Sequence, residues 1–131
     1  MNEPVAKPEP LAQAAAIVVG AVRVGLGAGI LAFTRPALGK LGFERPDGAT
    51  VALARLAGMR DVALGAHALA VTGDRERLGE ANLLDILVDA GDAVSFGAAL
   101  VSRDGIDKTA AKNVPVGAAA AIAGAWILSR L

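Results

Sequence analysis

The amino-acid sequence predicts an all-α protein, a four-helix up-down-up-down transmembrane bundle. Three observations point there. Nothing in the 131 residues alternates with a period of two over the length of a strand. Long apolar stretches are separated by short segments rich in Pro, Gly and charge. The apolar residues are also small, with 30 Ala and 16 Gly against 3 Phe and 1 Trp. Ala and Gly contribute little by leaving water, but they let helix backbones approach closely, which is how membrane bundles pack.

The elements follow in order. The first ten residues, M-N-E-P-V-A-K-P-E-P, hold three of the six prolines and predict an extended, mobile tail over 1–10. Glu3 and Glu9 make this leader mixed in charge, unlike the basic start of a secretory signal. Residues 11–131 are expected to form one membrane domain. Helix 1 covers 11–33 and is interrupted only by Arg23. At about 1.5 Å per residue it is long enough to cross a hydrocarbon core of about 30 Å. Thr34-Arg35-Pro36 ends it, and a surface connection with at most one short turn around 37–41 runs on to Gly48. Helix 2 covers 49–71 and contains Arg55, Arg60, Asp61 and His67. T-G-D-R-E-R-L-G reads as a polar turn, and helix 3 covers 80–101 with Asp85, Asp89 and Asp92. A third connection leads to helix 4 over 114–129, with Pro115 in its first turn, where a missing N–H costs little.

Composition removes many functions. Thirteen basic residues balance thirteen acidic ones, so no basic field exists to attract nucleic acid. The absence of Cys excludes thiol nucleophiles, disulfides and Cys-based metal or iron–sulfur sites. One His and no Tyr leave few acid–base motifs. Gly25, Gly27 and Gly29 are not a dinucleotide fingerprint, because no strand precedes them and the third glycine is misplaced. They do contain the Gly25-x-x-x-Gly29 step of helix-contact patterns, as do Gly117, Ala121 and Ala125 with alanines in two places. No cofactor or metal is expected: Asp85, Asp89 and Asp92 are oxygen ligands suited to Mg²⁺ or Ca²⁺, but neighbouring arginines compete for the same oxygens. His67 lies on the same side of helix 2 as Arg60 and is expected to be a packed or interfacial residue rather than a proton relay.

The charges decide the remainder. Helix 2 as a lone span would place two Arg and one Asp in lipid at a cost of about 8–10 kcal/mol, which its aliphatic residues do not offset. Either it is part of a soluble bundle, or its charges are paired within a membrane one. Centring the spans at one depth favours pairing, since Arg23, Arg60, Asp61, Asp89 and Asp92 then fall at about the same level. Asp85, Asp89 and Asp92 are spaced i, i+4, i+7 and share one helix face. Ala54, Gly58, Asp61 and Gly65 share a face of helix 2 with little bulk, so Gly58 and Gly65 are expected helix contacts that bring a neighbour close to Asp61. The pairing expected is Arg60 with Asp89 or Asp92, and Arg23 with Asp61. Arg55 is left to Asp85, to a helix end, or to the interface by snorkelling.

The stretch A-R-L-A-G-M-R-D-V-A-L-G at 54–65, followed by L-L-D-I-L-V-D-A-G-D-A at 83–93, resembles the small four-span membrane proteins of domain of unknown function 4267. Their element R-x-x-G-x-R-D-x-x-L-G corresponds to Arg55, Gly58, Arg60, Asp61 and Gly65, with acidic residues on the following helix. The resemblance implies a multi-pass membrane protein and brings no activity with it. The expectation is therefore an accessory or scaffold subunit in a bacterial inner or plasma membrane, in contact with the lipid bilayer and with a larger membrane complex or a second copy of itself. A proton- or ion-coupled carrier using the Asp stripe is the second reading, and a membrane enzyme the third. The basic residues of connections 1 and 3 lean the orientation toward both termini facing out.

Overall fold

The computed structural model describes residues 6–131, which form five α-helices and, among those residues, no strands. They are α1 (Pro10–Ala32), α2 (Thr34–Leu41), α3 (Gly48–Ala70), α4 (Arg75–Ser102) and α5 (Asp107–Ser129). Residues 1–5 of the expected mobile tail lie outside the described residues. The rest of it is pinned: Pro8 is buried, and the Ala6 carbonyl accepts a 3.0 Å hydrogen bond from the Arg75 N–H. That N–H is one of the unpaired donors at the start of α4, so the leader caps a distant helix.

Three boundaries differ from expectation, each for a local reason. The connection after helix 1 contains a full helix, α2, set off by the bend at Phe33 and stopped by Gly42 in the left-handed region at φ 102°. Any side chain at Gly42 would also stand 2.9 Å from Thr109 Oγ1. Helix α4 starts at Arg75, not 80, because the Asp74 carboxylate accepts from the N–H groups of Glu76 and Arg77, both at 3.1 Å. Helix α5 starts at Asp107, so Pro115 lies well inside it rather than in its first turn. Its ring leaves the Ala111 carbonyl without the usual partner. The charged run 107–112 is helical because Thr109 and Ala110 are buried under it. Asp47 caps α3 by accepting from the Thr50 N–H at 2.7 Å, and this bond holds the Asp47 carboxyl below the usual aspartate range.

The helices associate in pairs. Helix α1 lies along α3 and α4 along α5, while α3 meets α4 and α1 meets α5 more sparsely. In the first pair Gly20 faces Gly65 and Gly27 faces Gly58, a seven-residue repeat on each antiparallel strand of the contact. A Cβ on Gly27 would stand 2.5 Å from the Gly58 carbonyl oxygen. The second pair uses Gly117 and Gly124 of α5, which sit against Asp89–Ala93 and Ile86 of α4. Gly58 and Gly65 thus lie at the contact. Gly25 and Gly29 do not, since a Cβ on either meets nothing within 4 Å. Each is two residues from the buried Gly27, about 200° around the helix, and so faces away from α3.

The conventional core is small, with Ala12, Ala16, Ala68, Val71, Leu78, Ala81 and Ile127 clustered toward the end where α1 starts and α3 stops. The middle of the molecule is occupied by charge instead. Two helices, α1 and α5, are long and apolar enough to cross a membrane.

Candidate functional site

Helix α4 presents Leu78, Asn82, Asp85, Asp89, Asp92 and Phe96 at alternating steps of four and three, the spacing of a packing seam. The seam faces the α1/α3 pair, so its three carboxylates point at Arg23 and Arg60. Arg23 is buried, at 8% exposure, and binds three carboxylates on two helices. Its Nη1 lies 3.0 Å from Asp61 Oδ1, its Nε 3.3 Å from Asp85 Oδ1 and its Nη2 2.5 Å from Asp89 Oδ2. Gly20 and Gly27 stand one turn to either side, and the Arg23 Cβ itself lies against Gly65. The close glycine contact is what brings a guanidinium on α1 within reach of α4.

Arg60 makes the second crossing. It grips Asp92 with two parallel bonds, Nη1 to Oδ1 at 3.0 Å and Nη2 to Oδ2 at 2.7 Å, the fork geometry that suits guanidinium to carboxylate. Its Nη2 also reaches Asp61 Oδ1 at 3.4 Å, so Asp61 bridges both arginines. Of the two partners expected for Arg60, Asp92 takes it and Asp89 goes to Arg23. This internal salt-bridge network joins the two helix pairs where their side-chain packing is thin.

Arg55 lies outside it. It is exposed, and its Nε donates to Thr34 Oγ1 at 3.4 Å, a long bond at the α1–α2 joint. Asp85 therefore belongs to Arg23 rather than to Arg55. Of the three places expected for Arg55, Asp85 is taken by Arg23, which is long enough to serve Asp61, Asp85 and Asp89 together, and Arg55 instead lies exposed near the start of α2. His67 is exposed. Among the described residues no group of three or more His, Asp or Glu is arranged to hold a metal ion.

Asn82 was not anticipated. It is buried next to Asp85 on the seam, and its Nδ2 donates 2.6 Å to the Gly124 carbonyl, tying α4 to α5. Its place in the four-and-three spacing was the available signal. Beside the network, a cavity of about 390 Å³ opens between α1 and α5, with Arg23, Asp61, Asp89 and Asp92 at its floor. Chemically, two guanidiniums here face four carboxylates, so the fully ionised cluster carries surplus negative charge.

Comparison of the chain with protein-family models, curated proteins and solved structures gives no match.

Proposed function

We propose that the chain is a multi-pass integral membrane protein, with α1, α3, α4 and α5 as spans and α2 at the surface. It would act as an accessory or scaffold subunit beside a larger membrane partner. One observation carries this reading: the molecule is inverted. Arg23 and Asp85 are buried, at 8% and 4% exposure, while Val18, Leu56, Leu87 and Ile122 on four different helices are 61–70% exposed. In water, large exposed apolar surfaces are avoided and charges are kept outside. In lipid the same arrangement is favourable, because charge is costly there unless it is turned inward and paired.

Other features support it. The sequence of α3 alone is too charged to insert facing lipid. The pairings of Arg60 with Asp92 and of Asp61 with both arginines remove that obstacle for two of its three charges, and Arg55, two turns from the start of α3, is left to snorkel to the interface. Trp126 near the end of α5 stacks with the Arg130 guanidinium 5.5 Å from its ring centre, a pairing suited to a membrane–water boundary. The scaffold role rests on the outer face of α1, where Gly25 and Gly29 meet nothing within the chain and leave a shallow step that admits a neighbouring helix.

Alkaline carbonate washing of membranes from expressing cells tests the membrane reading. The chain should stay in the pellet and come out only with detergent. Quantitative release into the wash would contradict it.

A further inference from the structure

The cavity between α1 and α5 is two-sided. Its floor is charged, and its walls are Val22 and Leu26 of α1 with Val116 and Ala120 of α5. We propose that it binds an amphiphilic organic monocation, an ammonium ion whose nitrogen sits against Asp61 and Asp89 and whose hydrocarbon body lies between α1 and α5.

Size, sign and hydrogen bonding agree on that class. About 390 Å³ falls within the roughly 300–1,000 Å³ of small-molecule sites, and the mix of apolar walls with a few convergent polar groups is their usual lining. Asp61 engages both arginines through Oδ1, and Asp89 engages Arg23 through Oδ2. A carboxylate oxygen carries two lone pairs, so these two carboxylates, both on the cavity lining, keep capacity to accept from a ligand N–H. Asn113 at the α5 wall gives one of its Nδ2 hydrogens to the Thr109 carbonyl at 2.7 Å, and its Oδ1 adds a further acceptor to the lining. Acceptors and surplus negative charge together select a cationic donor. A carboxylate or phosphate would meet repulsion from Asp61, Asp89 and Asp92. A hard divalent ion would leave the apolar walls unused. The sparse contact between α1 and α5 places the mouth of the cavity on their side. The inference stands on the cavity and its charge, and it holds whether or not the chain spans a membrane.

The test uses the full chain purified in a mild non-ionic detergent near neutral pH, titrated calorimetrically with three probes of one hydrocarbon shape: 1-adamantylammonium, 1-adamantanol and 1-adamantanecarboxylate. The ammonium probe should bind with a stoichiometry of about one and about tenfold or more tighter than the alcohol, and the carboxylate should not bind. Ala120→Phe, which fills the cavity and leaves every carboxylate in place, should weaken the ammonium probe about tenfold or more. Asp89→Asn should do the same while circular dichroism shows the helices intact. Equal affinity for ammonium and alcohol would overturn the proposal, leaving only a greasy cavity. So would ammonium binding undiminished in Ala120→Phe, or a folded wild-type chain that binds no ammonium probe, in which case protons or solvent balance the surplus charge. The comparison of probes on the wild-type chain decides the matter even if both variants fail to fold.

Discussion

Gly65 and Gly20 meet backbone to backbone: a Cβ on Gly65 would stand 2.5 Å from the Gly20 carbonyl oxygen and 2.9 Å from the Arg23 Cβ. The helix contact and the charge network are therefore one arrangement. Only with no side chain at 65 can α1 lie close enough for Arg23 to pass beside α3 and reach Asp85 and Asp89 on α4.

Gly65→Ala should accordingly cost about 1–3 kcal/mol as an overpacked contact, because the atom it strikes is backbone and not a flexible side-chain end. Gly25→Ala and Gly29→Ala, with open space around them, should leave stability unchanged or raise it by up to about 1 kcal/mol through helix propensity. Reversible unfolding in mixed micelles followed by circular dichroism separates the two classes. A tolerated Gly65→Ala would mean that the close approach is not needed.

Arg23 serves three carboxylates, so its removal strands more charge than any other single change. Arg23→Leu should cost about 3–5 kcal/mol, the range for breaking a buried ion pair from one side. Arg23→Lys should recover only part of this, since an ammonium is a point donor and cannot span Asp61, Asp85 and Asp89 as a planar guanidinium does. Yield of folded protein and midpoint of unfolding report both, and full rescue by Lys would count against the three-way geometry.

Arg60 and Asp92 form the more accessible pair, with side-chain exposures of 37% and 39%. A double-mutant cycle with Arg60→Ala and Asp92→Ala should give a coupling of about 1 kcal/mol, discounted for this exposure. The same cycle between Arg60 and Asp89 should be smaller, because Asp89 is held by Arg23. Equal couplings would show the two carboxylates sharing both arginines.

Asn82→Ala should cost about 1–3 kcal/mol by removing the buried 2.6 Å bond to the Gly124 carbonyl and leaving a hole in the α4 seam. Loosening should be confined to α4 and α5 in hydrogen exchange. Protection lost equally in α1 and α3 would contradict the paired organisation.

Much of this was legible in the residues. The helical class followed from periodicity, and the one-sided stripe Asp85, Asp89, Asp92 followed from its spacing. Centring the apolar stretches was enough to set Arg23 opposite Asp61. What escaped was local or shared. Asp74 is an ordinary N-cap, but the Arg-Glu-Arg behind it looked like a turn, because the sequence alone does not show that the first turn of α4 hangs over the Ala6 carbonyl. Charged residues 107–112 hid a helical turn whose reason is the burial of Thr109 and Ala110, a tertiary fact. Gly25 and Gly29 fit a familiar motif, yet the contact uses Gly20 and Gly27, whose seven-residue step matches that of Gly58 and Gly65 and is visible only when the two helices are compared.

The central claim is that this molecule turns charge inward and hydrocarbon outward because its surroundings are lipid. The chain has no cysteine, so a single introduced thiol reports its own site. Nitroxide labels at Val18, Leu56, Leu87 and Ile122 in lipid bilayers should be relaxed strongly by oxygen and weakly by a water-soluble nickel chelate. The reverse pattern at these four positions, high nickel and low oxygen accessibility, would show that they face water and would contradict the account.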